Sequence, residues 1–322
     1  MQNTHSIAEP WAWIGFIIFV VIMLAVDLFA LGGRKAHKVS LKEASTWSLV
    51  WVTLALTFAA GLWFYLAHST TNSVATVKTT EFLTGYLLEK SLSIDNLFVF
   101  LLVFSSLGVP EALQRRVLLY GVLGAIILRG IMILAGAWLV AEFHWVLYVF
   151  GAILIWSGLK MFKPNSQEQK LEEQWIYRIA QKTLPITNHY HGEKFWVRHN
   201  AKLYLTPLAL ALLMIELSDV IFAVDSIPAI FSVTNDPFIV FTSNMFAILG
   251  LRALYFLVSN MANRFQLLQP AVALILLFIG SKMLISHWVH ISSVISFAII
   301  LGVLFIAVAA SLFMAKKSAT SK

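Results

Sequence analysis
Apolar runs of about twenty residues, parted by short polar stretches, recur from one end of this chain to the other. A helix rises about 1.5 Å per residue, so a run of that length crosses a hydrocarbon layer about 30 Å thick. Nine such runs are legible, at 11–33, 46–67, 80–107, 117–140, 144–162, 204–233, 238–260, 267–287 and 291–314. Lipid offers backbone N–H and C=O groups no partners, so spanning segments satisfy them internally. The pattern therefore predicts an all-α polytopic membrane protein with about nine transmembrane helices, a single membrane domain over 1–322. One polar connection, 163–203, divides it. Within that connection Leu171, Trp175, Ile176 and Ile179 recur at helical spacing among charges, which predicts an amphipathic helix on the inner membrane surface.

Composition agrees with the pattern. The chain is 59% hydrophobic and 12% charged, against about 25% charged in a soluble domain. The net charge of +7 matters less than where the basic residues lie. Lysine and arginine are retained on the cytoplasmic side of a membrane. Eighteen of them, at 34–42, 115–116, 160–202, 264 and 316–322, share one side if the N-terminus is outside and the C-terminus inside. Lys78 falls in an outer loop, and Lys90, Arg129, Arg252 and Lys282 fall within runs. The charge is thus an orientation signal, and no nucleic-acid partner is needed to explain it. Met1–Pro10 carries no lysine or arginine, so the first run lacks the cationic flank of a cleavable signal and reads as a retained helix. Trp11, Trp13, Trp47, Trp63, Trp145 and Trp288 lie near run ends, as interfacial anchors do. Cysteine is absent, which removes disulfides, thiolate metal sites and thiol redox chemistry from the chain itself. His189, His191 and His199 in the long connection lack ligand spacing and read as solvated.

Carboxylates interrupt this apolar background. Glu89-Lys-Ser-Leu-Ser-Ile-Asp-Asn96 lies in the third run and Glu216-Leu-Ser-Asp-Val-Ile-Phe-Ala-Val-Asp-Ser226 in the sixth, with Asp27 in the first. A carboxylate at the bilayer centre costs about 2.5–3.5 kcal/mol. Unpaired, these six acids would cost about 15–20 kcal/mol, above the roughly 5–15 kcal/mol net stability of a domain. They must be paired, protonated, hydrated or bound to a cation. A buried ion pair explains one such acid as readily as a site does; it explains five in two related runs less well.

The two runs are related. Ser93-Ile-Asp95-Asn-Leu-Phe-Val aligns with Leu217-Ser-Asp219-Val-Ile-Phe-Ala. Arg129 follows Asp95 by 34 residues and Arg252 follows Asp219 by 33; Gly158-Leu-Lys-Met161 and Gly280-Ser-Lys-Met283 come later again. The units 80–162 and 204–286 would cross in opposite directions, as a three-plus-three inverted repeat. Inverted repeats meeting at polar helices near the midplane are a recurrent transporter plan.

Pro228, three residues after Asp225, removes a helical hydrogen bond and is expected to break or kink the sixth run beside Asp225 and Ser226. Carboxylates, freed carbonyls, Asn96 and Ser226 are hard oxygen donors suited to Mg2+, Mn2+ or Ca2+. The candidate metal ligands are Glu89, Asp95, Asn96, Glu216, Asp219, Asp225 and Ser226, with Asp27 as a further ligand or an entrance charge. Arg129 and Arg252 either neutralise the acids when no cation is bound or bridge the repeats permanently; both readings stay open. Lys90 reads as a local countercharge to Glu89, and Lys282 as snorkelling to the interface.

At Glu89–Asn96, Glu216-Leu-Ser-Asp219 and Phe222-Ala-Val-Asp225-Ser-Ile-Pro228 the chain resembles the TerC/Alx family of bacterial integral membrane proteins, over nearly its whole length. The resemblance implies manganese export across the bacterial inner membrane, in a family also labelled for tellurium resistance or redox modulation. It places the family's acidic positions at Glu89, Asp95, Glu216, Asp219 and Asp225. The expectation is a non-enzymatic divalent-cation exporter, possessing no prosthetic group, with Mn2+ as cargo and a proton as the candidate coupling ion. Its N-terminus would be periplasmic and its C-terminus cytoplasmic. The alternative is a membrane scaffold in tellurite-resistance or redox-stress complexes. The sequence sets no oligomeric state.

Overall fold
The structure, a computed structural model, describes residues 6–30, 40–143, 145–161, 185–187, 189–199, 202–261, 267–285 and 291–320. These form ten helices and one hairpin: α1 (Pro10–Ala30), α2 (Leu41–Ser69), α3 (Asn72–Leu107), α4 (Glu111–Glu142), α5 (Val146–Met161), β1 (Trp196–His199), β2 (Lys202–Leu205), α6 (Pro207–Phe231), α7 (Pro237–Leu249), α8 (Leu251–Met261), α9 (Leu268–Ile285) and α10 (Ser293–Thr320). The helices lie on the nine apolar runs, with α7 and α8 sharing one. Length and apolarity alone qualify α1, α2, α4 and α6 as spans, and α7 with α8 as a fifth, bent one. Phe64, Phe305 and Phe313 are 68%, 73% and 74% exposed, an outer surface that suits lipid. The chain is an all-α polytopic membrane protein.

Local chemistry fixes the helix ends. Ser40 caps α2 through the Glu43 amide, Thr71 caps α3 through Val74, and Thr206 caps α6 through Ala209 with Pro207 in the first turn. At the far end of α3, Gly108 has φ 65°; its N–H donates to Ser105 at 3.2 Å and that of Val109 to Phe104 at 2.8 Å. This pairs the last carbonyls of α3, and Pro110 follows where the helix cannot continue.

Packing centres on α3, which lies against α2, α6, α7, α8, α9 and α10. Phe58 of α2 and Phe246 of α7 bring their rings to 4.9 Å, within an aromatic cluster that includes Phe16 of α1 and Phe82 of α3. The closest helix pair is α5 with α9. A Cβ on Gly280 would stand 2.7 Å from the Gly151 carbonyl oxygen, and one on Gly158 2.9 Å from that of Ala273. Rising numbers on one helix meet falling numbers on the other, so the two run antiparallel with backbone on backbone.

Two sequence expectations need revision, and a third is untested. Helix α6 runs through Pro228 to Phe231, because the proline sits in the last turn, where little helix remains to disrupt. The break lies in the next run, where α7 and α8 meet at 44° around Gly250. The end of the long connection, expected as loop, holds the antiparallel hairpin β1–β2. The amphipathic helix expected around Leu171–Ile179 lies outside the described residues.

Candidate functional site
Helices α4 and α6 run side by side in the same direction, with Gly124 beside Glu216 and Gly136 beside Phe231. That alignment turns Arg129, between the two glycines, towards Asp219. The guanidinium donates from Nε to one Asp219 oxygen at 3.1 Å and from Nη2 to the other at 2.8 Å, a bidentate pair. Its third nitrogen, Nη1, pairs with Glu89 of α3. Ser226 Oγ lies 3.4 Å and Asn244 Oδ1 3.5 Å from the same nitrogen. Asn244 donates its amide N–H to Val240 at 3.1 Å, which leaves its oxygen facing the arginine. None of the five is more than 3% exposed. One guanidinium thus stands between two carboxylates and two neutral oxygens, drawn from α3, α4, α6 and α7.

Asn96 is buried on α3. Glu216, one turn before Asp219, lies half-buried with its carboxylate packed on Gly124, where any side chain on α4 would displace it. The backbones of Asp95 and Asp225 lie on α3 and α6, and their side chains fall outside those described. Among the described residues, no three His, Asp or Glu side chains already stand as a metal-binding group. Asp27 is engaged elsewhere. It takes Arg252 of α8, whose Nη1 lies 2.6 Å from Asp27 Oδ2 and 3.3 Å from its carbonyl oxygen. Both are buried, so this second arginine binds α1 to α8.

Lys90 departs from its expected role as a countercharge to Glu89. Its ammonium donates to the Ala247 carbonyl at 3.1 Å, and a Cβ on Gly250 would stand 2.8 Å from Nζ. A cation at the carbonyl end of α7 complements the helix dipole there. Asn244 was missed by the sequence reading, although Thr242-Ser243-Asn244 is a polar triplet inside an apolar run and carried the signal. At the N-terminal end of α3, Glu81 pairs with Lys78 at 2.9 Å and accepts from Thr234 at 2.7 Å. Asp236 caps α7 and accepts the Ile7 amide at 3.0 Å. His189 and His191 are exposed.

A multi-helix membrane protein with a buried, helix-bridging ionic centre is the class these features define. The chain belongs to the TerC family: the model described as "Integral membrane protein TerC family" matches residues 74–319. It is 54% identical over 302 residues, 94% of both chains, to Alx of Salmonella typhi, whose name describes a membrane-bound redox modulator. The Alx of Escherichia coli strain K12 is 52% identical over 300 residues, 93% of this chain and 94% of its own. An uncharacterized membrane protein of Myxococcus xanthus is 45% identical over 321 residues, 100% of this chain and 98% of its own. No solved structure matches the chain.

Proposed function
We propose that the chain exports a divalent metal cation, Mn2+ first among them, across the bacterial inner membrane through the carboxylates around Arg129. The observation that supports this best is the meeting of Glu89 and Asp219, from the two related runs, on a single guanidinium. Oxygen donors of this kind suit Mn2+, Mg2+ or Ca2+ alike, and the choice of Mn2+ follows the family resemblance. In this reading Arg129 takes the place of the metal when none is bound. Ser226 and Asn244 give the guanidinium neutral acceptors to fall back on when a cation claims the carboxylates. Asp95, Asn96, Glu216 and Asp225 complete the donor set, and Asp27 with Arg252 forms a separate strut.

The packing supports an inverted repeat of 80–162 and 204–286. Exchanging α3, α4 and α5 for α6, α7–α8 and α9 turns the α3–α7 contact into the α6–α4 contact and maps α5–α9 onto itself. Rocking of one unit against the other would expose the centre to each side in turn, with the N-terminus periplasmic and the C-terminus cytoplasmic. The name of the Alx relatives favours a second reading, a redox modulator. A chain lacking cysteine would need a partner or cofactor for that chemistry. Purified protein in proteoliposomes enclosing an Mn2+ indicator separates the two. Exporter function predicts Mn2+ flux that Asp219→Asn removes; a scaffold gives none.

A further inference from the structure
We propose that the β1–β2 hairpin is a lipid-binding foot, seated in the headgroup layer at its end of the helix bundle and holding anionic phospholipid. The inference does not rest on the transport reading.

Depth comes first. Phe195, just before β1, packs its ring 5.0 Å from that of Tyr120, in the third turn of α4. Its carbonyl accepts the Thr206 N–H at 2.9 Å, at the mouth of α6. Arg116 lies over both rings, at 6.0 and 5.6 Å, and Tyr190 donates to the Leu107 carbonyl at 2.9 Å. The hairpin therefore lies level with the opening turns of α4 and α6, two candidate membrane spans.

Register then sorts its side chains. Trp196 faces Leu205 and Arg198 faces Leu203 across the strands, so these four share one face, with Phe195 on the other, towards α4. On the outward face Trp196 is 63% and Leu203 59% exposed, beside an exposed Arg198. A tryptophan and a leucine outward at this depth match the aromatic belt of membrane proteins. Arg198 and the exposed Lys194 supply positive charge at phosphate level, which selects anionic headgroups. The seat reaches the centre through one helix. Thr206, whose hydroxyl donates to Lys194 at 2.7 Å and Phe195 at 3.2 Å, begins the α6 that carries Glu216 and Asp219.

Spin labels test this cleanly, because the full chain has no cysteine of its own. Trp196→Cys and Leu203→Cys, labelled in nanodiscs containing phosphatidylglycerol, should show a ratio of oxygen to nickel-chelate relaxation above that of a label in water and below that of the lipid-facing reference Phe305→Cys. Arg198→Gln should hold spin-labelled phosphatidylglycerol about five-fold more weakly, matching about 1 kcal/mol per basic residue near the surface, with the two depth readings unchanged. A ratio equal to that of a label in water at both positions would overturn the seat. Labels reached by neither reagent would mean cover by residues 162–184 or another protein, and overturn it equally. Unchanged lipid retention in Arg198→Gln would remove the anionic partner.

Discussion
Two carboxylates close on Arg129 from different helices, so the centre holds two potential negative charges against one fixed positive charge. Removing the arginine strands both acids, whereas removing Asp219 leaves the Glu89–Arg129 pair intact. Breaking a buried pair by deleting one partner costs about 3–5 kcal/mol. Arg129→Gln should therefore melt well below Asp219→Asn in thermal unfolding, and added Mn2+ should raise its melting temperature more than that of the parent. An Arg129→Gln protein as stable as the parent, and indifferent to Mn2+, would remove the arginine from its role as stand-in for the metal. For transport, Asp95→Asn and Asp219→Asn should each abolish Mn2+ extrusion with membrane insertion intact, since the amide keeps the shape and loses the charge. Full export by either well-inserted variant would sink the site.

At the scale of elements, the α5–α9 contact leaves no room for a side chain. A Cβ at Gly280 would stand 2.7 Å from a backbone oxygen, and backbone cannot rotate away. Gly280→Ala should lower the melting temperature and slow Mn2+ flux. Gly302→Ala on α10, with nothing within 4 Å, should do neither. Equal melting of both variants would show that the crossing tolerates a wider gap. The helices themselves were legible because apolar length has one solution in lipid, whereas the matched intervals set Arg129 with Asp95 and Arg252 with Asp219 and did not reveal that Arg129 takes Asp219. The break was misread. Pro228 is a strong local signal whose effect is muted in a last turn, whereas the bend at Gly250 depends on Lys90 and Trp51 packing there from α3 and α2. Four-residue strands such as Trp196–His199 mix charge and apolar residues too briefly to register as alternation. The pairing of Asp27 with Arg252 joins α1 to a helix 225 residues away, which no local pattern encodes.

Two expectations belong to the whole molecule. Nine crossings with the basic residues inside put Thr70 outside and Gln181 inside. An impermeant thiol reagent on intact cells should label Thr70→Cys and spare Gln181→Cys, and the reverse would overturn both orientation and inversion. Protons and metal would compete for the same carboxylate oxygens, so metal binding should release protons and weaken as pH falls. Mn2+ titrated into solubilised protein in weak buffer should acidify it, and affinity should drop between about pH 8 and 6. A flat affinity without proton release would mean that Arg129 keeps every acid ionised, and would reject proton exchange. The central place of α3 also bears on how the chain is made. It carries Lys78, Glu81, Glu89, Lys90 and Asp95 along its length, yet most of its partners are synthesised after it. Glu89 waits for Arg129 on the next helix, so α3 and α4 should leave the translocon together as a neutralised hairpin. Lys90 waits for a carbonyl 157 residues downstream. During translation its ammonium needs water or headgroups nearby, and α3 can settle to its final depth only when α7 arrives from the ribosome.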